Sequence, residues 1–178
     1  MELKTTEFDG LVEILPTIIP DERGEFLESY NKKIFKEIGL DINFVQDNLS
    51  VSRRGVLRGL HFQNDPNQQG KLVSVIKGKI LDVVVDVRKD SKTFGKYKSF
   101  IIDDIQRKIL YVPEGFAHGF LALENTILTY KCTSNYNRAA ESGIIWNDPD
   151  LNIEWGIDDP IISAKDKLLP RFETLRDS

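Results

Sequence analysis

Arg54-Gly-Val-Leu-Arg-Gly-Leu-His-Phe-Gln63 gathers two arginines, two glycines and one of only two histidines in a chain of 178 residues. Read as an extended segment, Leu57, Gly59 and His61 fall on one face and Arg58, Leu60 and Phe62 on the other, because side chains alternate with period 2. A glycine inside a strand weakens it, so Gly59 predicts a bend or a ligand close to the backbone. On its own, a histidine in a strand is ordinarily structural. The surrounding chain has to supply any further meaning.

Around this stretch, turn signals recur often, and the segments between them are rich in Val, Ile, Leu and aromatics, the pattern of many short antiparallel strands. The clearest is Lys79 to Val87. There Leu81, Val83, Val85 and Val87 share one face, and Ile80, Asp82, Val84 and Asp86 the other, a partly apolar face with two carboxylates that predicts a pocket wall. Further strands are expected at 71–76, 98–103, 108–112, 119–123, 127–133 and 143–146, with turns at Lys77-Gly78, Gly95, Pro113-Glu-Gly115 and 135–137. Upstream, strands are expected at 3–8, 11–15 and 26–30, with Asp21-Glu-Arg-Gly24 as a turn in which Gly24 supplies positive φ. The first of them is detached enough to exchange with a partner subunit. Asn31 is a suitable N-cap for a helix over 32–38 with Ile34, Phe35 and Ile38 on its apolar face and Gly39 after its end. Ser163-Ala-Lys-Asp166 reads as a capping pattern before a short helical segment. So many strands with so little helix predict a mainly β fold, a sandwich or jelly roll, in one domain over 1–178.

Composition narrows the function classes. A formal net charge of -4 argues against a general nucleic-acid binder, which needs clustered positive charge. No apolar run approaches the roughly 20 residues of a membrane span. The first residues lack the basic start and apolar stretch of a signal peptide, and Cys132, the single cysteine, allows no intramolecular disulfide; both suit a cytoplasmic protein. An anionic ligand needs a local basic patch, which Arg53, Arg54, Arg58 and Lys71 offer.

The second histidine lies in Val112-Pro-Glu-Gly-Phe-Ala-His-Gly-Phe120, where Pro113, Gly115 and His118 match the spacing of the second motif of cupin jelly rolls, whose turn presents a histidine into the barrel. Several separated motifs, in order, resemble one family. Asp21-Glu-Arg-Gly24, Phe44-Val-Gln-Asp-Asn48, Val56-Leu-Arg-Gly-Leu-His-Phe-Gln63, Gly70-Lys-Leu72, Pro113-Glu-Gly-Phe-Ala-His-Gly-Phe120, Trp146-Asn-Asp148 and Ser163-Ala-Lys-Asp166 are similar to those of dTDP-4-dehydrorhamnose 3,5-epimerases.

The resemblance implies a dimeric cupin-type jelly roll with a few short helices. It implies a metal-free and cofactor-free epimerase that inverts carbons 3 and 5 of a dTDP-4-keto-6-deoxy sugar. Removing a proton beside a ketone needs a base that is free near neutral pH, and an imidazole with an unperturbed pKa of about 6.5 suits the task. His61 occupies the family's base position, with Asp166 as the carboxylate that orients it. From the residues alone, Asp166 reads first as a capping-box partner of Ser163, and the resemblance reverses that preference. Lys71 matches the residue beside the developing enolate and Tyr130 the proton donor, although lysine after a turn and tyrosine in a strand are ordinarily solvation and packing. Arg23 and Arg58 match pyrophosphate contacts, for which forked donors are favoured, and Glu28, Gln46, Asn48, His118, Glu141 and Lys165 match further substrate contacts. Arg23 is expected from the partner subunit or a neighbouring loop.

Three rival readings remain: a 3-epimerase or 3,4-ketoisomerase on the same fold, a metal-dependent cupin, and a non-catalytic sugar or nucleotide binder. The metal-dependent cupin is disfavoured because the position of the usual His-x-His pair reads His61-Phe62-Gln63. A last expectation comes from parity. Arg58 and His61 cannot face one ligand from an unbroken strand, so a bulge or bend is expected around Gly59.

Overall fold

The computed structural model describes residues 1–177. Thirteen strands form: β1 (Glu2–Thr5), β2 (Val12–Leu15), β3 (Ile19–Asp21), β4 (Gly24–Phe26), β5 (Gln46–Ser52), β6 (Leu57–Gln63), β7 (Lys71–Lys77), β8 (Lys79–Asp86), β9 (Tyr97–Asp103), β10 (Ile109–Val112), β11 (Phe116–Ala122), β12 (Thr126–Cys132) and β13 (Glu141–Gly143). A six-stranded sheet in the order β1-β2-β10-β7-β12-β5 faces a five-stranded sheet in the order β13-β6-β11-β8-β9, and all pairings are antiparallel. The result is a cupin-type jelly roll. Among the described residues no helix is long and apolar enough to cross a membrane.

Part of each outer face of the sandwich is covered, which explains why several strands read as continuous apolar runs instead of alternating. Helix α1 (Lys32–Glu37) is capped by Asn31, whose side chain accepts from the Lys33 and Ile34 amides at 3.1 and 3.4 Å, and it lays Phe35 against Val12, Ile14, Leu72 and Ile109 on the six-stranded sheet. On the five-stranded sheet, Leu57, Leu60, Val83, Val85 and Leu121 are covered by Leu151, Trp155 and Phe172 of the carboxy-terminal segment. Between the sheets, Val73, Val75, Ile80, Val84, Phe100, Ile102, Leu110 and Leu128 close one end of the interior. Each such side chain contributes roughly 1.5–3 kcal/mol by leaving water. The other end of the same interior is polar and open.

Three expected boundaries shift. The chain after β4 runs irregularly through 27–30, because Phe26 and its neighbours lie exposed in the β3–β4 ribbon with no second sheet to join. The strand expected at 143–146 lies instead at Glu141–Gly143, where it pairs with Gln63, Phe62 and His61 of β6. Strand β11 begins at Phe116, so His118 stands in mid-strand and is presented by the pleat, not by the preceding turn. The detached first strand pairs within the chain, Glu2 opposite Leu15.

The bulge expected at Gly59 is present. Phe120 pairs with Arg58 and His118 with His61, so three steps on β6 (58 to 61) are matched by two on β11 (118 to 120). The extra residue resets the alternation. Leu57 and Leu60 both pack on the outer core, while Arg58 and His61 both border the interior cavity. Gly59 has φ +121, and a Cβ placed there would lie 2.5 Å from Gly119 Cα and 2.8 Å from the His118 carbonyl oxygen. Only glycine meets both demands.

The far end of β11 is pinned by Asp86, whose fully buried carboxylate opposes Phe116 in the ladder. Arg88 donates to it from Nε at 2.9 Å and Nη2 at 2.8 Å, and the Ser91 and Thr93 hydroxyls each donate at 2.6 Å. Burial pushes this carboxyl up, but the Arg88, Ser91 and Thr93 donors outweigh it and hold the pKa at about 2. The face bearing Asp82 and Asp86 is thus split: Asp86 is consumed in this knot, while Asp82 reaches the cavity wall through His118.

Replacing Gly59 by Ala is expected to cost roughly 2–4 kcal/mol in urea unfolding, against about 1 kcal/mol for Gly24→Ala, where φ is +131 but nothing lies within 4 Å. Equal losses would show that close packing at Gly59 is not the constraint. A second expectation concerns pH. With a folded pKa near 2 and an ordinary value of 3.8, Asp86 lends stability that is present above pH 4 and lost as pH falls toward 2. The deficit of Asp86→Asn, measured by urea unfolding, should therefore shrink from pH 7 to pH 3; a deficit independent of pH contradicts the charge assignment.

Candidate active site

The open end of the sandwich is a cleft of about 780 Å³ bordered by both sheets. From the six-stranded sheet it receives Gln46 and Asn48 (β5), Lys71 (β7), and Tyr130 and Cys132 (β12). From the five-stranded sheet it receives Arg58 and His61 (β6), His118 (β11) and Glu141 (β13). Lys165 and Asp166 enter from the carboxy-terminal segment, and Leu128 and Phe120 border the cleft on its apolar side.

His61 Nε2 lies 2.9 Å from Asp166 Oδ1. The Gly59 amide donates to Asp166 Oδ2 at 3.3 Å, and Ser163 Oγ accepts from the Asp166 amide at 3.0 Å. Half of the capping box is therefore made: the Ser163 hydroxyl caps the backbone of the short 3-10 turn Asp166–Leu168, while the Asp166 carboxylate turns inward to the histidine. Burial raises the Asp166 carboxyl, and the hydrogen bond and charge of His61, with the Gly59 amide and Ser163, bring it below the usual carboxylate value. An ionised carboxylate can only accept, so Nε2 carries the hydrogen and Nδ1 is left with a lone pair.

Lys71 is 8% exposed, and its ammonium donates to the His61 carbonyl at 3.3 Å. Burial pushes its pKa down, opposed by the negative potential of Cys132, Asp82 and Glu141. On the same wall, burial pushes the Tyr130 hydroxyl up, Cys132 adds to the effect and Arg58 opposes it. The phenol keeps its proton at neutral pH. His118, 9% exposed, holds Asp82 Oδ2 at 2.8 Å from Nε2, so the cavity contains a second histidine–carboxylate pair directly across the ladder from the first.

The remaining polar residues form a rim. Arg58 Nε donates to Ser52 Oγ at 3.1 Å, Gln46 Nε2 to Asn48 Oδ1 at 2.9 Å, and Lys165 Nζ meets Glu141 Oε2 at 2.5 Å. Two expected site residues are elsewhere. Arg23, at the tip of the β3–β4 ribbon, is 83% exposed and pairs with Asp21, and Glu28 accepts from Asn31 Nδ2 at the surface. Neither borders the cleft of its own chain.

Cys132 and Tyr136 also line the cleft. Period-2 alternation from Leu128 through Tyr130 could have placed Cys132, which accepts from Asn48 Nδ2 at 3.5 Å. Tyr136, whose hydroxyl donates to Glu141 Oε2 at 2.7 Å, lies in an irregular stretch where no periodicity points it inward. Among the described residues, no three His, Cys, Asp or Glu side chains converge as a metal site requires.

Comparison with known proteins follows the same lines. The family model described as dTDP-4-dehydrorhamnose 3,5-epimerase matches residues 5–174. The dTDP-4-dehydrorhamnose 3,5-epimerase of Methanothermobacter thermautotrophicus is 52% identical over 166 residues, spanning 91% of this chain and 89% of that protein. The enzyme of the same name from Bacillus anthracis str. Ames, solved with TDP and PPi bound, superposes with a TM-score of 0.94 at 44% identity, covering 96% of this chain and 99% of that one. A Legionella pneumophila dTDP-6-deoxy-D-glucose-3,5-epimerase in complex with dTDP-4-keto-L-rhamnose gives 0.87 at 41% identity, over 96% and 98% of the two chains. With the family model, the relatives and the superposed fold agreeing along nearly its whole length, this chain belongs to the dTDP-4-dehydrorhamnose 3,5-epimerase family.

Proposed function

We propose that the chain converts dTDP-4-dehydro-6-deoxy-D-glucose into dTDP-4-dehydro-L-rhamnose by inverting carbons 3 and 5. The observation that carries the mechanism is topological. The His61–Asp166 pair belongs to the five-stranded wall, and Tyr130 to the six-stranded wall that faces it. Inversion needs a proton removed from one face of the sugar and another delivered to the opposite face, and a ring lying between the two sheets meets both requirements.

In each half-reaction His61 Nδ1 takes the proton from the carbon beside the ketone. The carbon–hydrogen electron pair becomes the enolate carbon–carbon double bond, and the carbonyl pair moves to the oxygen on carbon 4. Lys71 donates to that oxygen, a preorganised contact of the kind worth a few kcal/mol in the barrier. When the double bond collapses, Tyr130 gives its proton to the carbon from the other face. Each inversion leaves His61 protonated and Tyr130 as the phenolate, and proton exchange with water returns both to their starting forms before the next; the steps call for no metal or organic cofactor. Asp166 fixes the base in its productive tautomer and stabilises the imidazolium it becomes. Arg58, Gln46, Asn48, His118, Glu141 and Lys165 bind the substrate.

The same reading includes a homodimer in the cytoplasm. All six residues of the β3–β4 ribbon are exposed, including Ile19 at 55% and Phe26 at 62%, and the edge strand β5 exposes Leu49 and Val51. A second copy covering these apolar groups would receive Arg23 and Glu28 at its own cleft, where the pyrophosphate wants a forked cation.

NMR of the substrate with the protein in heavy water tests the chemistry. The wild type should place deuterium at carbons 3 and 5 with inversion. His61→Ala should abolish exchange by at least about 10³-fold while still binding dTDP, and Tyr130→Phe should exchange but yield little inverted product. Exchange at the wild-type rate in His61→Ala would remove it as the base. The shared site is tested by mixing Arg23→Ala with His61→Ala: each variant alone should be impaired, and the mixed dimer should regain one intact site. No recovery on mixing places Arg23 outside the partner's cleft.

A further inference from the structure

Asp82 lies outside the roles assigned so far. It stands in the middle of β8, opposite Phe120 of β11, with no exposed surface, and one of its oxygens, Oδ2, is 2.8 Å from His118 Nε2. Its other oxygen, Oδ1, is the buried side-chain oxygen or nitrogen that has no hydrogen-bond partner among the described residues. A carboxylate with an idle oxygen is costly in a sheet interior, and neighbouring inward positions, Ile80 and Val84, are satisfied by aliphatic side chains. Packing alone has no need of a carboxylate at position 82.

What Asp82 does touch is a cavity residue. His118 pairs with His61 across the β6–β11 ladder, and each histidine has a buried carboxylate at its Nε2, Asp166 in one case and Asp82 in the other. A carboxylate that only accepts keeps the hydrogen on Nε2 and so decides that Nδ1 is the nitrogen His118 offers to a ligand. Asp82 also contributes negative potential at the buried Lys71, whose ammonium donates to the His61 carbonyl.

We propose that Asp82 is a positioning residue of the epimerase reaction, holding His118 with Nε2 protonated so that Nδ1 meets the bound keto sugar. The inference rests on the function proposed above. Its action runs through His118; Asp82 itself does not contact substrate. The unpartnered oxygen is then the cost of keeping a full carboxylate, instead of an amide, behind that ring.

The test uses the full-length protein, the dTDP-4-keto-6-deoxy sugar, and nitrogen-15 NMR of the two histidine rings. In the wild type, His118 should show a single Nε2–H tautomer. In Asp82→Ala the Nδ1–H form should become populated, with kcat reduced at least 10-fold and KM within about 3-fold of wild type. Asp82→Asn should fall between these, since an amide oxygen can still accept while its NH2 can hold the other tautomer. In Asp82→Ala combined with His118→Ala, kcat should be no lower than in His118→Ala alone. An unchanged His118 tautomer in Asp82→Ala overturns the proposal, as does a double variant in which the two losses multiply. If Asp82→Ala fails to fold, the same measurements on Asp82→Asn and its double variant decide the matter. A wild type without turnover on this substrate instead overturns the proposed function, and the tautomer measurement still reports on Asp82.

Discussion

The contact on which the rest of the site depends is the approach of two backbones at Gly59 and Gly119. A Cβ on Gly119 would lie 2.7 Å from the Arg58 carbonyl oxygen, just as one on Gly59 would strike Gly119. Because neither residue has a side chain, β6 can carry one extra residue against β11 and change parity in mid-strand. Without that change, packing Leu57 on the outer core would put Arg58 and Leu60 inside and His61 outside. With it, Leu57 and Leu60 both remain in the apolar layer and Arg58 and His61 both reach the cleft. Asp166 then secures the distortion, since one oxygen holds the Gly59 amide and the other the His61 ring. A single carboxylate fixes the backbone irregularity and the His61 ring together.

The second constraint is the burial of charge between two sheets. A sandwich interior favours aliphatic side chains, and at its closed end it has them; at the open end Lys71, Asp82, Asp166 and His118 are all at most 9% exposed. Desolvation opposes the charges of Lys71 and Asp166. Asp166 is stabilised as a carboxylate by His61 and the Gly59 amide, so the burial penalty is overcome there. For Lys71 it is not, and its pKa stays depressed. Among the described residues its ammonium has one long contact to a carbonyl and no ion-pair partner, and on the proposed mechanism an enolate oxygen would complete its shell.

Much of this was legible in the sequence because it rests on local rules. Asn31 and Gly39 delimit α1 through capping chemistry, Asp21 to Gly24 makes its hairpin, and parity alone demanded the irregularity at Gly59 once Arg58 and His61 were assigned to one ligand. The misplacements have equally local causes. Strand β11 is buried on both faces, so no alternation marks where it starts and His118 was assigned to a turn. The segment 27–30 has strand-like residues but no sheet edge to join. Asp166 carried two readings, cap and orienting carboxylate, and only the tertiary approach of the carboxy-terminal segment to β6 separates them. Cys132 and Tyr136 went unassigned because cleft membership depends on which layer a residue faces, a property of the assembled sandwich.

The sandwich also explains how one cleft can act on two carbons. Carbons 3 and 5 flank the same ketone, so on the mechanism proposed above the negative charge develops on the same oxygen in both steps, and a fixed Lys71 would serve each. What must differ is which carbon lies near His61, and a sugar turning about its carbon 4 oxygen exchanges the two while keeping that oxygen in place. On that mechanism the acid has to be protonated at the start of each step, and so has to be recharged from water between them. Burial raises the Tyr130 pKa above its ordinary value, which would leave the hydroxyl holding its proton until an enolate is there to take it. On the proposed mechanism the opposing walls would divide the work by polarity: a base oriented by Asp166 on one sheet, and an acid whose neutral form desolvation favours on the other.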